Sequence, residues 1–218
     1  MLTRISVFTL MLVMVSVSAF GQAIPGSPAD AFQVRYAANL LASVSVADSN
    51  AAAALTPSSV INITNAGTTN TAGGALANLC VNVYAFSPDE QLVSCCTCTV
   101  TPNALVSLDV KRDLTTNTLT PGIVPSAVIK LVATSGTTCN ASSVAAANLA
   151  AGMVAWGTTF HALPGGGFGI TETRFSNKGL SAAELARITS FCGFIQSDGS
   201  GFGICSSCKP GGQGGVHQ

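Results

Sequence analysis

The sequence predicts a mainly β protein: an antiparallel two-sheet sandwich with a short C-terminal helix stapled to it by disulfides. Three observations carry that expectation. Short segments of alternating apolar and polar residues recur between Gly, Pro and Asn turns. Near the C-terminus the alternation gives way to helical spacing behind a capping-box signature, Ser181-Ala182-Ala183-Glu184. The eight cysteines are even in number, and four of them crowd between Cys80 and Cys98.

Met1 to Gly21 has one early positive charge, Arg4, an apolar run from Ile5 to Phe20, and small residues Ala19 and Gly21 placed for cleavage. This is the pattern of a secretory signal peptide, and the run falls short of the roughly 20 apolar residues of a spanning helix. No cysteine stands at the boundary to take a lipid, and no later apolar run is long enough to cross a bilayer. The expected organisation is a signal peptide over 1–21, a β-sandwich domain over 22–178, a C-terminal helix and Cys-rich segment over 179–208, and a disordered Gly-rich tail over 209–218.

Gln22 to Ala31 reads as a Pro/Gly-bearing leader with little to pack. Phe32, Val34 and Tyr36 then fall on one face of an N-terminal strand, a pattern that Val44 and Val46 continue ahead of an Ala-rich link. Ser58 to Asn65 is a second strand with Ile61 and Ile63 inward. Leu79 to Val110 reads as a three-stranded meander. In its first strand Leu79, Val81, Val83 and Ala85 share one face, and Cys80, Asn82, Tyr84 and Phe86 the other. Ser87-Pro88-Asp89-Glu90 has turn chemistry. If Ser87 and Glu90 face each other, Val81 lies opposite Cys96 and Asn82 opposite Cys95. Cys96 and Cys98 then join the Val81 face, and Cys95 joins Tyr84, Phe86 and Val93 on the other. Thr101-Pro102-Asn103 turns into the third strand.

Lys111 to Pro125 is polar and turn-rich. Ala127 to Thr134 is a β-branched strand, Val144 to Ala151 has the composition of a short helix, and Met153 to Ala162 pairs with Phe168 to Phe175 across a glycine turn. In the C-terminal helix Leu185, Ile188, Cys192 and Ile195 fall on one face, and Asp198-Gly199 ends it.

Disulfides are the expected state of Cys80, Cys95, Cys96, Cys98, Cys139, Cys192, Cys205 and Cys208 in an exported chain. Cys96 and Cys98 lie about 7 Å apart along a strand, at the limit for a bridge. The Cys-Cys-x-Cys strand therefore bonds outward, with Cys192, Cys205 and Cys208 as the natural partners, leaving Cys80 and Cys139 for each other. This lays the helix across the Tyr84/Phe86/Val93 face. Two alternatives compete: a metal or cluster site built from the close thiols, and a redox-active Cys205-Ser206-Ser207-Cys208 pair. Export favours oxidation, no histidine completes a metal set, and the redox motif lacks its βαβ context.

Composition narrows the function. Charged residues are 8% of the chain, against about 25% in an average soluble domain, and the net charge is zero. No basic patch exists, so nucleic acid has no electrostatic footprint here. His161 is the candidate general base, with no G-x-S-x-G elbow to serve. Asp89 and Glu90 read as turn residues, and Glu172 with Arg174 as a surface pair. Neither glycine cluster, Gly165 to Gly167 or Gly199 to Gly203, joins a parallel strand to a helix as a phosphate cradle does. Asn62-Ile63-Thr64 and Asn140-Ala141-Ser142 match the glycan-acceptor pattern.

The words CVNVYAFSPDEQLVSCCTCTVTPN and CGFI…GICSSC resemble a group of uncharacterised secreted bacterial β-sandwich proteins, with the Cys-Cys-x-Cys strand as the specific part. The resemblance covers the meander and the C-terminal segment. It implies export and a bacterial envelope setting, and it supplies no catalytic residues.

The function expected from these features is a non-enzymatic secreted structural or interaction protein of a cell surface, matrix or filament, with no cofactor. Its partners would be further copies of itself or other envelope components. The strand bearing Phe32, Val34 and Tyr36 is the candidate for exchange between copies. The alternative is an extracellular carbohydrate- or small-ligand-binding module using Tyr84, Phe86 or Trp156 as a stacking platform.

Overall fold

The computed structural model describes residues 21–38, 40, 59–71, 73–115, 124–136, 138–164, 168–199 and 203–208. Most of the signal-peptide segment, the Val44/Val46 stretch, the Ala-rich link and the Gly-rich tail lie outside them. Nine strands form two antiparallel sheets among the described residues: β1 (Phe32–Ala37), β2 (Ser59–Asn65), β3 (Leu79–Phe86), β4 (Leu92–Val100), β5 (Leu105–Asp109), β6 (Ala127–Ser135), β7 (Met153–Ala162), β8 (Phe168–Arg174) and β9 (Ser176–Asn177). The first sheet runs β4-β3-β6-β1-β9 and the second β5-β2-β7-β8. Among the described residues one α-helix, α1 (Ala182–Ser197), follows.

The side-chain alternation decides the layers. Leu79, Val81, Val83 and Ala85 of β3, with Ile129, Leu131 and Ala133 of β6, meet Ile61 and Ile63 of β2, Val106 and Leu108 of β5, and Met153 and Ala155 of β7 in the inter-sheet core. The opposite face of the first sheet is apolar too. Phe32, Tyr84, Phe86, Cys95 and Val132 pack there against Leu185, Ile188, Cys192 and Ile195 of α1. This explains why every residue of β3 is buried.

The register of β3 and β4 differs from expectation by two residues. Val81 pairs with Cys98, Val83 with Cys96 and Tyr84 with Cys95. A shift of two preserves side-chain parity, so each cysteine keeps its expected face. The turn is the cause. Ser87 N–H donates to the Gln91 carbonyl (2.9 Å) and Glu90 N–H to that of Ser87 (3.0 Å), with Glu90 in the left-handed region at φ 66°. Beyond the turn a bulge between Ala85 and Phe86 breaks the alternation, and it sends Val93 into the inter-sheet core, not beneath the helix.

The meander is not a meander. β5 pairs with β2 in the other sheet, and β6 takes the place beside β3. Asn65, fully buried, clasps the crossing: its Nδ2 donates to the carbonyls of Ala77 and Val100 (both 3.0 Å), and its carbonyl takes the Asn103 N–H (2.8 Å). The departure of β5 leaves one edge of β4 open.

Two segments read as irregular have structure of their own. The leader packs: Ile24 N–H donates to the Leu180 carbonyl (2.8 Å) and its side chain meets the helix-side core. Val110–Thr115 forms a π-helical turn that buries Leu114 and Asp113. The segment expected as a short helix is a single 3₁₀ turn, Ala146–Asn148. The capping box forms by half. Ser181 Oγ accepts from Glu184 N–H (3.1 Å), while the Glu184 carboxylate turns away to Lys130 and Arg187.

Glu90 holds a left-handed conformation that an L side chain disfavours. Glu90→Gly is expected to raise stability by about 1 kcal/mol, read as a higher urea midpoint at unchanged slope.

Candidate functional site

All eight cysteines are disulfide-bonded: Cys80–Cys139, Cys95–Cys192, Cys96–Cys205 and Cys98–Cys208. The four Cα–Cα separations of 4.9–5.7 Å lie within the ordinary range for the bond. The alternation of β4 sorts them. Cys95 points out of the sandwich and takes Cys192 from α1, while Cys96 and Cys98 point in and take Cys205 and Cys208. At residues 203–205 the chain runs along the rim of the sheet. As it does so it seals the open edge of β4: Thr97 N–H donates to the Gly203 carbonyl (3.2 Å) and Cys205 N–H to that of Thr97 (3.1 Å).

A buried carboxylate locks the inner end. Asp113, fully buried, accepts from Ser207 Oγ (2.6 Å) and from the Asp109 N–H (2.8 Å), and pairs with Arg112 (3.2 Å). Arg112 also donates to Ser207 Oγ (2.6 Å). Its hydrogen bond to Asp113 raises the guanidinium pKa above the ordinary value. Ser207 is thus a buried link in a tether. On the outer side, burial pulls the Glu184 carboxyl upward, but Lys130 and Arg187 outweigh it and leave the group below the usual carboxylate value. Lys130 also lies 4.7 Å from the Phe86 ring centre.

The exchange candidate β1 has an unexpected inner face. Phe32 and Val34 pack on the helix side and Tyr36 is 62% exposed, as alternation requires. The inward positions are Gln33, Arg35 and Ala37. Gln33 Nε2 donates to the Met153 carbonyl (2.8 Å). Arg35, only 7% exposed, donates to Thr159 Oγ1 (2.9 Å) and Ser59 Oγ (3.4 Å), with no carboxylate partner among the described residues. Desolvation lowers its pKa from the ordinary guanidinium value. Gly157 makes the room, since a Cβ there would stand 1.9 Å from the guanidinium carbon. Sequence reasoning passed over Arg35. Its alternation with Val34 and Tyr36 was the available signal.

The remaining candidates separate. Tyr84 is fully buried and donates to the Ala141 carbonyl (2.7 Å), its pKa raised by desolvation, and Phe86 lies under the helix. Neither can be a stacking platform, because the helix covers the face on which both stand. Trp156 lies on the outer face of the second sheet, directly opposite Arg174. His161 reaches only Thr171 Oγ1 (3.1 Å) on the exposed β7–β8 extension. Glu172 and Arg174 do not form the expected pair; Glu172 accepts from Thr158 Oγ1 (3.3 Å) instead. Asp89 accepts from Ser87 within its turn, and Asn140 forms a local turn with Ser142 (3.0 Å). No group of three or more potential metal ligands occurs among the described residues, and no helix there is long and apolar enough to cross a membrane.

Comparison of the chain with protein-family models, with curated proteins and with solved structures gave no match.

Cys95→Ser/Cys192→Ser is expected to lower the unfolding free energy by about 2–5 kcal/mol and to speed amide exchange throughout α1. Cys98→Ser/Cys208→Ser should cost a similar amount and leave the helix amides protected. For Glu184 the folded pKa is depressed, so its contribution is complete above the unfolded carboxyl value of about 4.3 and is lost as pH falls through the folded value. Between pH 7 and pH 3 the urea midpoint of the native protein should therefore fall further than that of Glu184→Gln.

Proposed function

We propose that this chain is a non-enzymatic secreted structural protein of a bacterial surface, matrix or filament, and that copies assemble by exchanging β1. The observation that carries the reading is where the staples stop. Every disulfide joins residues from Cys80 onward, so no covalent loop encloses β1 or the leader before it. The seam remains cross-linked whether or not β1 is in place.

The energetics of β1 support the same reading. A strand that buries Gln33 and Arg35 gains less from apolar burial than its neighbour β6, which presents Ile129 and Leu131. Its outer edge is engaged by the two-residue β9, through Gln33 and Val34, and by Lys178, whose N–H donates to the Phe32 carbonyl (2.9 Å). Exchange restores in a neighbour every contact that is broken at home, so its net cost is small. The slot also selects its occupant. Thr159 and Ser59 hydroxyls, the Met153 carbonyl and the space above Gly157 suit an arginine two residues after a glutamine. Four disulfides and the resemblance of the β3–β4 words to exported bacterial proteins favour an oxidising, extracellular setting.

Tyr36 and Val128 stand directly opposite each other on the outer face of β1 and β6. Tyr36→Cys/Val128→Cys, purified as polymer and oxidised, is expected to give a ladder of covalent multimers on non-reducing electrophoresis. Monomer bands alone would place β1 in its own sheet and sink the exchange mechanism. A native protein that sediments as monomer at all concentrations would sink assembly itself.

A further inference from the structure

The two outer faces of the sandwich are treated differently. Helix α1 covers the first, while no described helix or strand packs across the second. On that open face a line of hydrogen bonds crosses all four strands. Ser107 Oγ donates to Asn62 Oδ1 (2.7 Å), Asn62 Nδ2 to Thr158 Oγ1 (3.0 Å), and Thr158 Oγ1 to Glu172 Oε1 (3.3 Å). Trp156 stands beside this line, with Asn62 opposite it on one flank and Arg174 on the other. Val154, Trp156, Glu172 and Arg174 line a cleft of about 310 Å³.

We propose that this face binds a neutral pyranose oligosaccharide, with Trp156 as the stacking ring and Glu172 and Arg174 as the polar grips. The inference rests on residues separate from those of the assembly reading, and either can fail alone.

The chemistry of the lining selects the ligand class. A sugar ring offers an apolar C–H face and a rim of hydroxyls, each able to donate and accept. Trp156 supplies a large apolar surface whose indole N–H has no partner among the described residues. Glu172 presents acceptors, and the Arg174 guanidinium has no hydrogen-bond or ion-pair partner among the described residues. One carboxylate and one guanidinium cancel locally. A phosphate or uronate would meet Glu172, and a wholly apolar ligand would strip water from both charges without return. Hydroxyl groups satisfy both at once. Because the polar line spans four strands, about 14 Å at ordinary strand spacing, the face suits a chain of sugars over a single ring.

The chain contains one tryptophan, so its fluorescence reports on this face alone. The oxidised native protein is titrated with cellohexaose, xylohexaose, maltohexaose and N-acetyl-chitohexaose. At least one is expected to give a saturable change in emission. Glu172→Gln and Arg174→Ala, both exposed, should each weaken that midpoint about tenfold or more while circular dichroism stays native. Asp89→Asn, at the distant β3–β4 turn, should leave it unchanged. No saturable change with any of the four sugars would overturn the proposal, as would wild-type midpoints in both site variants. A response confined to polygalacturonate would overturn the assignment of a neutral ligand.

Discussion

The fold depends on a single strand being held from both sides. Consecutive residues of β4 point in opposite directions, so Cys95 can take only a partner outside the sandwich, and Cys96 and Cys98 only partners within it. One C-terminal segment supplies all three. It therefore lies as a helix on the outer face as far as Ser197, and from Gly203 to Cys208 it stands at the β4 edge and in the core. That route is available only if no strand occupies the free edge of β4. The crossing of β5 to the other sheet, clasped by Asn65, is the topological condition for the staple.

Much else follows from this constraint. An edge strand is a template for unwanted pairing, and here the residues that carry the inner disulfides also cap it through Thr97. The helix needs a second apolar surface on the first sheet, which is why Tyr84, Phe86 and Val132 stand where a one-faced sheet would be polar. In the chain-entropy description each closed loop, spanning 59 to 110 residues, restricts the unfolded state by about 4 to 5 kcal/mol when counted alone. The loops interleave, so the terms do not add. Their shared effect is to concentrate stability in β3, β4, β6, α1 and residues 203–208, and to leave the N-terminal strands held by packing and hydrogen bonds.

How much of this was legible in the sequence depended on whether the determining interaction was local. β2, β6, β7 and the apolar face of α1 were readable because period-two and helical spacing are properties of a few consecutive residues. The sorting of the cysteines was readable for the same reason, and it survived a wrong register because the slip was even. The destination of β5 was not readable. A short turn after a strand ordinarily makes a hairpin, and what redirects this one is Asn65, distant in the chain from Asn103 and Val100. The role of Glu184 was half visible: its place in the capping box is local, whereas its partner Lys130 comes from β6. Trp156 could be named as an aromatic of interest, but not separated from Tyr84 and Phe86 until the helix was seen to cover one face and leave the other open.

Arg35 joins these threads. A buried guanidinium with no carboxylate partner among the described residues is a poor way to stabilise a monomer, and a leucine at that position would satisfy the core at lower desolvation cost. Its retention is intelligible if the slot has to distinguish strands and not merely bury them. An apolar slot accepts any alternating strand of suitable length, including strands of unrelated proteins. A slot that offers hydroxyls and a backbone carbonyl, with volume reserved above a glycine, penalises an apolar intruder by leaving its polar groups unsatisfied. The feature that weakens β1 in its own sheet is thus the one that would restrict exchange to identical copies. Under the exchange proposal, weak retention and strict recognition would be two consequences of one buried charge.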